Sequence, residues 1–217
     1  MTISNFKKGF TLIEIIVVMA VFMFIIGAGI GLFLSIVKSQ KRILAEQQLI
    51  NQISYAEEYM SKALRMAVKD SAGTCLTDDS PTSPNFGHYY TNYNYLLTRP
   101  INNFFTGIKF INASNGNICQ EFFLDTDGVL YERKKGVAQV PLTSSNMKVN
   151  FVRFGINGYN GCYGGNTCPS GDQDTAVFTV TPLPQPRITT LLNVTAPGDS
   201  NGKTFQTTVS QRNLNTK

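Results

Sequence analysis

The stretch Phe10–Val37 is apolar almost without interruption, and the one charge inside it is the carboxylate of Glu14. Coiled as a helix it would be about 42 Å long, against a bilayer hydrocarbon core of about 30 Å, so it is long enough to span a membrane with length to spare. Lys7, Lys8 and Gly9 stand immediately before it. The two lysines place the N-terminus on the cytoplasmic side, while Lys38, Lys41 and Arg42 on the far flank pull the other way. A cleaved secretory signal would carry an apolar core of about 7 to 15 residues and a small-x-small cleavage site beyond it; this run is too long for that. A plain signal-anchor accounts for the hydrophobicity but not for Glu14. A carboxylate at the centre of a bilayer helix costs roughly 2.5 to 3.5 kcal/mol on insertion scales, and such groups carry a partner and a purpose. Something must neutralise Glu14.

Past Val37 the polarity rises while a helical period continues through Ile43, Ile50, Ile53, Met60, Leu64 and Ala67, and no proline or glycine interrupts Leu32 to Asp70. The pattern predicts one helix from about Phe10 to Lys69, some 90 Å long, whose outer half is amphipathic and packs on a sheet. Gly27, Gly29 and Gly31 lie inside the apolar half. Each costs roughly 1 kcal/mol of helix propensity, and each also permits close helix packing; loosening and packing both remain open as their purpose. From Asp70 to about Phe104 the composition reads as a loop, with "TDDSPTSPN" followed by the tyrosine-rich "HYYTNYNYLLTRP". Beyond it "FTGIKFIN", "ICQEFFLD", "VLYERKK", "KVNFVRFGI", "AVFTVTP", "ITTLLNVTA" and "TFQTTVSQ" alternate as antiparallel strands, and Asp127-Gly128 suits a tight hairpin turn. The fold class is α+β, a long N-terminal helix on an antiparallel β-sheet head.

With 217 residues, the chain has room for one head beyond the apolar tract, and its net charge of +5 is too modest to point to nucleic acid by itself. All four cysteines, Cys75, Cys119, Cys162 and Cys168, follow the apolar run, so a single span puts them in one compartment, where outside the cytoplasm they oxidise. Four cysteines allow three pairings; the short Gly-rich "GCYGGNTCPSG" favours Cys162 with Cys168, leaving Cys75 with Cys119. Zinc is disfavoured, because no C-x-x-C spacing or partner histidine is present. The single His88 lies in a polar run and reads as an exposed loop residue. A calcium loop built on Asp125, Asp127 and Gly128 fails, since Phe123 and Lys134 would occupy its first and last ligand places. Asp172 and Asp174 in "PSGDQD" are the weaker alternative. No nucleophile, base and orienting acid can be assembled around one histidine, and no phosphate-binding glycine motif occurs. Catalysis, metal and cofactor are not expected.

"KKGFTLIE" resembles the processing site of the type IV pilin and type II secretion pseudopilin superfamily. The resemblance implies that a prepilin peptidase on the cytoplasmic face cuts after Gly9 and methylates Phe10. It also implies that Glu14, fifth in the mature chain, pairs with the free amine of a neighbouring subunit during filament assembly. The ending "FQTTVSQRNL" is similar to the last strand of many minor pilins and pseudopilins, some of which bind calcium. On this reading residues 1–9 are the leader, 10–37 the transmembrane half of the first helix, 38–70 its amphipathic half and 71–217 the β-rich head. Other pilin subunits, the peptidase and the inner-membrane assembly machinery are the implied partners. The implied location is the bacterial inner membrane, single-pass with the head outside the cytoplasm, and then a pilus or pseudopilus. The long head and two expected disulfides favour a minor component. The alternatives are a minor pilin whose head binds DNA or a surface, and a single-span anchored protein that never polymerises. DNA binding would use bases stacked on Tyr89, Tyr90, Tyr93 and Tyr95 near basic residues, against the plainer reading of those tyrosines as core.

Overall fold

The computed structural model describes residues 9–77, 87–102, 104–157, 161–163, 186–197 and 201–212. By compactness the chain divides into two units, Met1–Ala45 and Glu46–Lys217. The helix α1 (Leu12–Arg65) begins in the first and ends in the second. Glu14 in its first turn and Lys62 and Arg65 in its last complement the helix dipole at each end.

The helix stops four residues before the expected Lys69, because the chain there is claimed by a sheet. Ala67–Val68 forms a short strand, β1, paired with Asn112 and Ile111. Ala67 is buried, as the apolar period implied, but as a strand residue. The last carbonyls of a helix have no partners within it, and here remote groups supply them. The Tyr95 hydroxyl donates to the Leu64 carbonyl at 2.6 Å. The Arg212 amide donates to the Arg65 carbonyl and the Ala113 amide to that of Met66, each at 2.9 Å.

The second unit continues with β2 (Tyr95–Ile101), β3 (Phe104–Asn112), β4 (Ile118–Leu124), β5 (Leu130–Lys134), β6 (Val140–Pro141), β7 (Lys148–Asn157), β8 (Gly161–Tyr163), β9 (Arg187–Thr195) and β10 (Lys203–Ser210). They form one sheet in the order β10-β9-β7-β3-β4-β5-β6, with β1 and β2 also on β3 and β8 on β2. Every pairing is antiparallel except β2 with β8, which is parallel. Six of the seven segments read as strands are strands; "AVFTVTP", residues 176–182, lies outside the described residues. The expected loop from Asp70 to Phe104 is corrected: its last third is β2, in register with β3 through Tyr95↔Phe110 and Leu97↔Ile108. The tyrosine- and proline-bearing "YLLTRPI" concealed a strand whose first four residues are buried.

Alternation along the strands gives the sheet two faces. One packs on the second-unit part of α1, where Leu49, Ile53, Met60 and Leu64 meet Tyr95, Ile108, Phe110, Phe122 and Val152. Full burial of each such side chain stabilises the fold by roughly 1.5 to 3 kcal/mol. The opposite face carries a smaller core of Cys75, Leu76, Tyr90, Tyr93 and Leu96. The β4–β5 hairpin closes through Gly128, whose φ of +77° suits glycine. There the side chain of Asp127 accepts the Val129 amide at 2.9 Å.

Candidate functional site: the N-terminal segment

Gly9 and Phe10 are exposed and precede the helix, and Phe10 is 78% exposed. The carbonyl of Thr11 accepts the amides of Glu14 at 3.1 Å and Ile15 at 3.3 Å, which starts the helical ladder. Glu14 therefore sits in the first turn, where unpaired N–H groups give the helix a partial positive charge that favours a carboxylate. Beyond it the apolar side chains from Leu12 to Phe33 are exposed in every direction, and at Gly27, Gly29 and Gly31 a β-carbon would meet no atom within 4 Å. Among the described residues this is the one helix long and apolar enough to cross a membrane. Such a surface, apolar all round and bearing one carboxylate near its start, requires lipid or other helices around it.

Residues 4–30 match the family model for the prokaryotic N-terminal methylation motif. The chain carries the prepilin-type signal of pilins and pseudopilins. Comparison with curated proteins and with solved structures returned no match. The prepilin-type signal covers Gly9, Phe10 and Glu14 and reaches past two of the three helix glycines.

The other sequence-expected residues lie on the head. Cys75 and Cys119 are joined by a disulfide, with Cα atoms 5.3 Å apart. The pairing expected of Cys162 and Cys168 lies outside the described side chains, as do Asp172 and Asp174. Asp125 and Asp127 are engaged by the hairpin itself: Asp125 accepts the Thr126 amide, and Asp127 accepts the Val129 amide and the Tyr131 hydroxyl. Among the described residues no cluster of three metal-ligating side chains occurs. His88 stands 4.8 Å from the Tyr90 ring, centroid to centroid. Of the four tyrosines that would stack on bases, Tyr90, Tyr93 and Tyr95 are buried and only Tyr89 is exposed.

Sequence reasoning missed the buried polar groups of the head. The Asp70 carboxylate receives the amides of Thr74, Cys75 and Leu76 and shapes the loop that carries the disulfide. Glu121 is buried and pairs with Arg133 at 2.6 Å and Arg99 at 3.4 Å, and Arg99 lies 3.6 Å over the Phe123 ring. On the helix side the Tyr59 hydroxyl donates to Glu132 at 2.7 Å, and Glu132 also accepts from Gln120 and Lys134. Burial, then the Glu132 carboxylate, raises the Tyr59 pKa. A cavity of about 350 Å³ lies by the disulfide, lined by Thr74, Thr77, Lys109, Arg133 and Lys135 among others. Its Lys109 and Lys135 ammonium groups donate to the Thr77 and Thr74 carbonyls.

Proposed function

We propose that this chain is a structural subunit of a type IV pilus or a type II secretion pseudopilus, a minor component stored in the bacterial inner membrane before assembly. Prepilin peptidase cuts between Gly9 and Phe10 on the cytoplasmic face and methylates Phe10. The remaining chain, head outside the cytoplasm, joins other subunits through its first helix with the help of the inner-membrane machinery. The observation that carries this reading is the methylation motif over residues 4–30, continuous with a helix whose apolar side chains are exposed among the described residues. Two further features support it: Glu14 lies in the first turn, and the accessible Gly9–Phe10 bond lies just ahead of the helix. The role is structural rather than enzymatic.

Mass spectrometry of the membrane-associated protein tests the processing step. The expected mature chain starts at N-methylated Phe10, and Gly9→Leu should leave an unprocessed precursor in the membrane. Only chain starting at Met1, in cells that possess the peptidase, would refute processing and favour an anchored protein that does not polymerise.

Glu14 tests assembly separately. Its carboxylate follows the new Phe10 amine by four residues, and the amine of a neighbouring subunit is its expected partner. Losing one member of a buried ion pair costs about 3 to 5 kcal/mol. Glu14→Gln should insert and be cleaved normally yet be depleted from sheared filaments relative to membranes. Equal entry of both proteins into filaments would overturn the charge pairing.

A further inference from the structure

On the face of the sheet turned away from α1, Arg99 and Arg153 each lie 3.6 Å over a phenylalanine ring, and they differ in their acidic partners. Arg99 lies 3.6 Å over Phe123 and pairs at 3.4 Å with the buried carboxylate of Glu121, which it shares with Arg133. Arg153, in the middle of β7 between the buried Val152 and Phe154, lies 3.6 Å over Phe104 and 4.6 Å over Phe151. No carboxylate lies within ion-pair distance of Arg153 among the described residues. Beside it the surface is apolar and open. Phe104 is 44% exposed, and Ile101, its partner across the β2–β3 register, is 57% exposed. Leu191 faces Arg153 across the β7–β9 register and is partly exposed.

We propose that Arg153, Phe104 and Ile101 form a docking site for another protein, which supplies the carboxylate of an Asp or Glu with an apolar residue beside it. The Arg99 site shows what this chain does with a stacked guanidinium when the arrangement is complete: an aromatic ring holds the flat face and a carboxylate takes the N–H edge. Arg153 has its rings and, among the described residues, no acid. Two rings fix the guanidinium in place, so little side-chain freedom is lost when a carboxylate meets its fork of donors. Arginine set among exposed aromatic and aliphatic side chains is also the composition of residues that dominate protein interfaces. The site belongs to the head and is independent of contacts made through the first helix.

The test uses the full chain in its own cells, with the photo-crosslinker p-benzoyl-phenylalanine at position 101 and the adduct sequenced by mass spectrometry. The expected adduct is a protein peptide containing Asp or Glu next to an apolar residue. Arg153→Gln should lower its yield at least about tenfold, and Arg153→Lys, which keeps the charge and loses the planar fork, should lower it less. Leu191→Glu leaves Arg153 in place but supplies a carboxylate from the neighbouring strand, and should close the site to the partner. This second variant keeps the test decisive if Arg153→Gln disturbs folding, which intact Cys75–Cys119 pairing and an unchanged thermal transition would check. Exchanging charges, Arg153→Glu against Arg at the identified acid, should restore the adduct. A yield indifferent to both Arg153→Gln and Leu191→Glu, no protein adduct, or an adduct to nucleic acid would overturn the proposal.

Discussion

Glu57 faces β10 from the helix, and its Oε1 is buried with no hydrogen-bond partner among the described residues. Burial raises its pKa, and the hydrogen bond from Thr207 on β10 only partly opposes that. The sign follows from linkage: a carboxyl whose folded pKa is raised stabilises the fold while protonated, below its unfolded value near 4.5, and loses that contribution as pH rises through the folded value. Ionisation of Glu57 therefore weakens the head. Glu57→Gln should raise the thermal midpoint at pH 7 by about a few degrees at most, given solvent screening, and the advantage should shrink toward pH 4. A melting series across that range measures it; an advantage that grows as pH falls would contradict the assignment. At this scale the sequence was least informative. Glu121 and Lys109 face one another in register on β4 and β3, and both are buried. Their alternation with apolar residues reads as an exposed face, because periodicity does not reveal that loop 70–77 and its neighbours cover that face as well.

Among elements, the loop after α1 depends on two ties. The Asp70 carboxylate gathers three successive amides, and the disulfide joins Cys75 to Cys119 beside the smaller core of Leu76, Tyr90, Tyr93 and Leu96. Removing the bond by Cys75→Ser with Cys119→Ser should cost about 2 to 4 kcal/mol and loosen that core before the one under the helix. Hydrogen exchange should show earlier opening at residues 74–77 and 90–96 than at 108–110 and 122. Uniform loss of protection would contradict the division into two cores. Most elements were legible in advance because each announced its period: the helix by an apolar run and then a stripe free of proline and glycine from Leu32 onward, the strands by alternation, the β4–β5 hairpin by Asp-Gly. β2 was not, since its tyrosine, threonine and proline share the vocabulary of turns. The point where the helix ends was also hidden. Ala67 continues the stripe, and only its pairing with Asn112 across the sheet takes it out of the helix.

For the whole molecule, both cores draw only on residues from Leu49 onward. Among the described residues the members of both cores belong to the second unit, so the head is expected to hold together by itself. A chain beginning at Glu46, which retains the 3.0 Å pair of Glu46 with Lys203, should fold without detergent and melt at the same temperature as the head of the full chain in detergent. A fragment that aggregates or melts much lower would show that the preceding residues are needed. The prepilin-type signal was readable because it is a contiguous string of residues, whereas Arg153 meets Phe104 and Ile101 only when β7 joins β2 and β3, some fifty residues earlier in the chain.

The carbonyls at the end of α1 set the timing of this protein's birth. The Arg65 carbonyl waits for the amide of Arg212, and that of Ala67 for the side chain of Gln211, 144 residues later. A polypeptide emerging from the ribosome in order makes its helix early and cannot satisfy the carbonyls at that helix's end until Gln211 and Arg212 are out. Closing so large a loop is slow, and a product broken off even slightly short of Gln211 would leave the junction between helix and head open to water.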